Sequence, residues 1–400
     1  MKKVLIFVPE FPRLTETFIE REISKLVSLG DLDITVFSLK KATGALSSNL
    51  SERVVYRTPG VIDALMGIFH FAFSHPGRVV RALALIYGKD KMNIFARKAY
   101  FLKAFGYARL FGEYSPDHIH AHFLSWPSTI AMVSATLMDV PYSISAHARD
   151  VMVDGTLVPA KVKTAKFISI CNKFAWRSCI DQSGLKNPQN VYQQYHGVDV
   201  SKLPVDSKTI DPTRKPYILV VSRLVEKKGL VYIIEASKIL KDRGIEHEVH
   251  IAGPGPLYEE LMGKIKQLGV VDTVFMHGDG KGLSWNEIVE QYKITDIFAL
   301  PSINTGAGDA DGVPNVVIEA SLCKIPVVTT DAGSITDLIE HEKTGLLVKQ
   351  ADSEDLANAL ERLISDKELR KTLGENAHQK AREMFDLNRN TSELQKLFFK

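Results

Sequence analysis

Short runs of uninterrupted apolar residues alternate with amphipathic stretches along the whole chain. The run Val4-Leu5-Ile6-Phe7-Val8 opens the series, and runs at 33–39, 53–56, 117–123, 142–146, 166–170 and 191–195 follow in the first half. The second half repeats the pattern at 217–221, 248–251, 274–278, 296–300, 326–329 and 345–348. Runs of this length, apolar on both faces, predict parallel strands covered by helices. The intervening stretches carry helical spacing: Phe18, Ile19, Glu22 and Ile23; Leu230, Ile233, Ile234, Ser237 and Leu240; Val313, Val316, Val317 and Ala320. Regular β/α alternation predicts doubly wound parallel sheets with helices on both faces.

Between the two series, Ser201 to Pro216 is polar, proline-bearing and without apolar period, which predicts a linker. Four hundred residues are too many for one small core. The expected division is an N-terminal Rossmann-like domain at 1–203, a linker at 204–216, a C-terminal Rossmann-like domain at 217–384, and an amphipathic segment at 385–400 crossing back to the first domain.

Composition narrows the classes. An apolar share of 45% and a charged share of 24% fit a globular protein, and a net charge of +3 gives no reason to expect nucleic acid. Cys171, Cys179 and Cys323 lack metal or CxxC spacing, so reduced thiols in a cytoplasmic protein are expected. The first apolar run is too short for a signal peptide, and no uncharged run approaches a bilayer span. Residues 61–112 differ: they interleave aromatics with Arg78, Arg81, Lys89, Lys91, Arg97, Lys98, Lys103 and Arg109, against only Asp63 and Asp90. The simpler reading buries the aromatics and solvates the cations; the alternative lays this face on an anionic membrane, at the inner face of the cytoplasmic membrane.

Candidate chemistry gathers at strand ends. Arg223 leaves the tip of the 217–221 run, and Lys228 stands just ahead of the next helix. Two cations at such a turn can neutralise a diphosphate, Arg bidentately and Lys as a point charge. Gly253 and Gly255 permit close backbone approach to a ligand, and His277-Gly278 repeats the strand-then-glycine arrangement. The stretch Asp311-Gly312-Val313-Pro314-Asn315-Val316-Val317-Ile318-Glu319 then opens a helix, with Pro314 suited to its first position and Glu319 on the edge opposite the apolar stripe. Free N–H groups there suit an anion, and the carboxylates of Asp311 and Glu319 suit hydroxyls. An ordinary cap-and-dipole role for Glu319 stays open. His147 ends the 142–146 run, where open α/β sheets hold ligands. His118, His120 and His122 alternate along a strand, but no carboxylate or Cys completes a metal set, so no metal site is expected. The first β–α loop has no GxGxxG, which disfavours a nicotinamide cofactor.

In that order, S-R-L-x-x-x-K-G (222–229), G-x-G (253–255) and D-G-x-P-x-x-x-x-E (311–319) resemble the family 4 glycosyltransferases, and the likeness covers nearly the whole chain. The opening F-P-x-L-T-E-T-F-I-x-x-E-I is similar to a subgroup building bacterial exopolysaccharide, colanic-acid-type enzymes among them. The resemblance implies a GT-B fold, two Rossmann-like domains facing across a cleft. It implies a retaining hexosyltransferase that moves sugar from a nucleoside-diphosphate donor to a polysaccharide or lipid-linked acceptor. Arg223 and Lys228 would hold the diphosphate, Glu319 the ribose, and Asp311 the donor sugar, with His147 beside it at the reacting centre. Gly253, Gly255, His277 and Gly278 would border the nucleotide, with Gly312, Val313, Pro314 and Asn315 at the helix end. Asp311 stands where Glu is usual. Pro12 to Thr17 replaces a glycine pair, leaving Arg13, Thr15 and Glu16 as acceptor-side candidates. No cofactor and no metal is expected, since Arg223, Lys228 and the helix end supply positive charge to the leaving group; Asp309-Ala310-Asp311 only imitates a metal-binding DxD. A nucleotide-sugar epimerase or hydrolase, or a non-catalytic sugar-nucleotide-binding module, are the alternatives.

Overall fold

The computed structural model describes residues 1–13, 16–88, 90, 92–205, 213–305 and 312–400. Thr15, Asp309, Asp311 and most of the expected linker therefore lie outside the described residues. The chain forms two compact units: Met1–Gly197 with Leu387–Lys400, and Val198–Asp386.

The first unit holds β1 (Lys2–Phe11), β2 (Leu32–Lys41), β3 (Val54–Tyr56), β4 (His118–His122), β5 (Tyr142–Ala146), β6 (Phe167–Ile170) and β7 (Val191–Gln193). They form one parallel sheet in the order β3-β2-β1-β4-β5-β6-β7. Alternation along β1 fills two cores: Leu5 and Phe7 face one, Val4, Ile6 and Val8 the other. That is why its apolar run is continuous. The C-terminal helix Leu387–Phe399 closes the second of these cores with Leu394, Leu397 and Phe398, while Lys2 and Lys166 Nζ donate to Phe398 O at 2.7 and 2.9 Å. Gly197 must lack a side chain, because a Cβ would stand 2.1 Å from Leu387 Cα.

Residues 61–112 fold as three helices, Val61–Ser74, Pro76–Ile86 and Ile94–Gly112. The first and third touch backbone to backbone: a Cβ on Gly67 would lie 2.3 Å from Phe105 O. Phe71, Phe101, Phe105, Tyr107 and Phe111 are buried, as the simpler reading expects, but Phe69, Phe73 and Phe95 stand 67%, 75% and 75% exposed. Arg97 is no surface cation: it is buried and donates to the carbonyls of Ile86, Gly88, Asp90 and Met92. Four carbonyls around one guanidinium knit the connection between two helices.

The second unit holds β8 (Tyr217–Val221), β9 (Glu248–Ala252), β10 (Val274–His277), β11 (Ile297–Leu300), β12 (Val327–Thr330) and β13 (Leu346–Val348). These are parallel in the order β10-β9-β8-β11-β12-β13. The order reverses between β8 and β11, the crevice where open α/β sheets receive ligands.

Candidate active site

In the second unit four loops lie on one another at the carboxyl ends of the strands. After β8, Ser222 N–H donates to Ala252 O at 3.0 Å and Leu224 N–H to Pro254 O at 2.8 Å. A Cβ on Gly253 would meet Ser222 O at 1.7 Å, and one on Gly255 would meet Leu224 O at 2.5 Å. The sequence suggested that these glycines admit a ligand. Their demonstrable reason is the neighbouring backbone. The loop after β10 joins through a bridge between Pro254 and Lys281, and Gly278 takes φ +75° with no room for a Cβ beside Gly282 O. His277 is partly buried, and its Nε2 lies 2.9 Å from His250 Nδ1. Burial lowers both imidazoles, His250 to about 4.

Across the switch point, Ile303 N–H donates to Lys227 O at 2.9 Å, and Gly229, at φ +62°, packs with its Cα hydrogens against Pro301 O. The turn carrying Arg223 and Lys228 is thereby fixed to the loop after β11. Arg223 is exposed, whereas Lys228 is buried ahead of the helix Leu230–Asp242. The helix of the third motif is Asn315–Leu322, starting one residue later than expected, with Pro314 as its N-cap rather than its first residue. Glu319 is a larger correction. It does not occupy an open edge: it is 5% exposed, and one carboxylate oxygen accepts from Tyr292 Oη at 3.1 Å. Val317 and Ala320 are buried as expected, but Val313 and Val316 are only half-buried. Gly312 and Val313 lead into this helix, and Asp311 is outside the described residues.

In the first unit His147 stands at the end of β5. Its backbone N–H donates to Asp150 Oδ1 at 2.7 Å, and Asp150 Oδ2 accepts from Leu124 N–H after β4. Burial pushes the Asp150 carboxyl up to about 7 despite those bonds. Lys161 Nζ, fully buried, donates to Leu124 O and to Ser125 O at 2.5 and 2.8 Å, so the loops after β4 and β5 are held together. Burial first, and neighbouring imidazoles second, hold His147 well below the usual histidine range.

Sequence reasoning missed what surrounds it. His147 Nδ1 lies 3.0 Å from His196 Nε2, and His196 Nδ1 lies 3.1 Å from Glu22 Oε2. Burial opposes charge on His196, but hydrogen bonds to Cys171 and Glu22 together push it up to about 10. Phe18 stacks on His196 with centroids 4.5 Å apart. The one signal available was position, since His147, Cys171 and His196 each follow a strand. The alternating histidines do share one face, as expected: His118 Nε2 and His120 Nδ1 both meet Ser143 Oγ at 2.7 Å. The acceptor-side candidates Arg13 and Glu16 pair with each other at 3.0 Å, and Glu16 is the N-cap of the helix Thr17–Leu29.

Residues 205–380 match the glycosyl transferases group 1 family. The second unit carries a glycosyl transferases group 1 domain. Over 90% of its length the chain is 26% identical to the Escherichia coli (strain K12) protein named as a colanic acid biosynthesis glycosyltransferase, WcaL, covering 89% of that protein. It is also 39% identical over 147 residues, 36% of this chain and 35% of the relative, to the amylovoran biosynthesis glycosyltransferase AmsK of Erwinia amylovora. Among solved structures, a glycosyltransferase from Rickettsia africae superposes with a TM-score of 0.72 at 16% identity, covering 99% and 97% of the two chains. Anabaena HepE in complex with UDP gives 0.68 at 18%, covering both chains fully. At these identities the structures speak for the fold, which is that of the GT-B glycosyltransferases.

Proposed function

We propose that this glycosyltransferase moves a hexose-type sugar from a nucleoside-diphosphate donor to a saccharide acceptor, polymeric or lipid-linked, with retention and without a metal ion. The observation that carries the reading is the fixed meeting of the Arg223–Lys228 turn with the loop after β11 at the switch point of the second sheet. A diphosphate at that crevice gains fixed positive charge without reorganisation during departure. Arg223 and Lys228 take the phosphates, Glu319 the ribose and Asp311 the sugar. Tyr292 holds the Glu319 carboxylate in one rotamer for that contact. The nucleotide borders Gly253, Gly255, His277 and Gly278, and the helix end from Gly312 to Asn315 adds its free N–H groups. His147 contacts the donor sugar, and Arg13, Thr15 and Glu16 belong to the acceptor side. The UDP held by HepE and the exopolysaccharide names of WcaL and AmsK support this choice of donor and acceptor. No helix among the described residues is long and apolar enough to cross a membrane. We assign peripheral membrane contact to the exposed face of residues 61–112.

A panel of uridine and guanosine diphosphate sugars, read by thermal shift, tests the site, since a ligand bound to the native state raises its melting temperature. One donor should stabilise the protein. Lys228→Ala should abolish that shift and lower turnover on the order of 10³-fold, the size of a lost transition-state charge contact. Near-normal turnover in that variant defeats the assignment. Full-rate donor consumption with no acceptor present selects an epimerase or hydrolase instead.

A further inference from the structure

His147, Cys171 and His196 leave the carboxyl ends of β5, β6 and β7, three adjacent strands of one parallel sheet. Register therefore delivers three metal-ligating side chains to one place. One ring nitrogen from each histidine and Cys171 Sγ lie within 4.8 Å of one another. His147 Nδ1 and His196 Nε2 are 3.0 Å apart. Two nitrogens bound to one tetrahedral zinc ion stand roughly 3.3 Å apart, so this pair needs to open by only a few tenths of an ångström.

The surroundings match what a metal-bound imidazole has behind it. Glu22 Oε2 accepts from His196 Nδ1, which leaves Nε2 as the donor atom toward the cluster, the carboxylate–histidine arrangement that orients metal ligands. His122 stacks parallel to His147 at 5.8 Å, and Phe18 covers His196, so both rings are held in place. Cys171 and His196 are partly exposed, which gives an ion a way in.

We propose that His147, Cys171 and His196 form a binding site for a thiophilic divalent cation of the zinc class, with a fourth position open to water. Two imidazoles and a thiolate select such an ion over magnesium or calcium. Binding releases the thiol proton and the proton that His196 holds on Nε2. A bound ion also takes the His147 ring away from a sugar, so it inhibits transfer. That consequence rests on the proposed role of His147, whereas the binding site does not.

The test uses the metal-free full-length protein. Zinc titrated against a chromophoric chelator should show one equivalent bound, and cobalt should give a thiolate-to-metal charge-transfer band in the near ultraviolet. Cys171→Ser should remove the band and weaken zinc binding at least about 100-fold, and His196→Asn should weaken it similarly. Melting curves without metal establish that each variant is folded. The wild-type cobalt band is decisive even if a variant fails to fold. Its absence, the lack of a stoichiometric zinc site, or an unchanged band in Cys171→Ser overturns the proposal.

Discussion

The two sheets solve the same problem with different material. Both are parallel, and both gather loops at the carboxyl ends of their strands. In the first unit those loops are tied by buried side chains: Asp150 and Lys161 beside His147, and a stack of rings running through His122, His147, His196 and Phe18. In the second they are tied by backbone touching backbone, which glycine alone permits at 253, 255 and 278. Side-chain packing builds enclosed titratable groups. Backbone packing ties the loops of the second sheet through main-chain contacts, and it is there that we propose the diphosphate binds. The second sheet is the easier one to break.

Gly253→Ala tests the backbone floor. Its Cβ would fall 1.7 Å from Ser222 O, and the Ser222 peptide, pinned by its N–H to Ala252 O, cannot yield cheaply. Overpacking and strain together should cost about 3 kcal/mol, read as a lowered denaturation midpoint. Gly263→Ala is the control. It lies inside the helix Tyr258–Leu268 with open space around it, and should stabilise by about 1 kcal/mol. Equal effects at both positions would show that the loop contact is not what requires glycine.

For the first unit the probe is acid. Burial pushes His118 and His120 down to about 3, so both stay neutral in the folded state while they protonate near pH 6.5 once unfolded. In that window the unfolded chain holds more protons, so stability rises with pH and is lost on acidification. Between pH 6.5 and 5, above most carboxylates, these two rings should take up from about one to nearly two protons on unfolding, contributing a slope of about 1.4–2.7 kcal/mol per pH unit. The double variant His118→Asn, His120→Asn should flatten this limb of the stability curve. An unchanged slope would mean that these rings already carry charge in the folded protein.

The two kinds of tie also differ in how far sequence reveals them. Strands were legible because burial on both faces leaves an unbroken apolar run, as along β1 and β8. Gly253 and Gly255 were legible as glycines but not in their cause, because Ser222 and Leu224 reach them only through the pairing of β8 with β9. Glu319 was read as an edge residue since helical spacing puts it opposite Val313 and Val316. Its partner Tyr292 lies a strand and a loop earlier, beyond any local pattern. His147 was found from its strand-end position. The same rule applied to Cys171 and His196 would have found the cluster, but Glu22 comes from the helix after β1 and no spacing links it to them.

One contrast remains outside the strand ends. Large exposed apolar side chains crowd the helices at 61–112 of the first unit, whereas in the second unit, among the described residues, Val271 and Trp285 stand well apart in the chain. Leu65, Met66, Phe69 and Phe73 line one open depression on the first of those helices. Exposed apolar groups of this number are not needed for folding, because the same helices bury Phe71, Phe105 and Phe111 on their other faces. Arg78 and Arg81 pair with Asp139, whereas Lys98 and Lys103 of the same segment are exposed, and cations with apolar groups in one segment favour anionic lipid. Phe69→Ser with Phe73→Ser should leave folding stability within about 0.5 kcal/mol, since neither ring is in the core. The same pair should lower binding to vesicles containing phosphatidylglycerol at least about tenfold, since each ring carries on the order of 1.5–3 kcal/mol of transfer free energy when fully immersed. Sedimentation with such vesicles reads the effect, and raised salt should weaken the wild type too. Wild-type protein left in the supernatant at low salt would remove the membrane assignment and leave the apolar face to a protein partner.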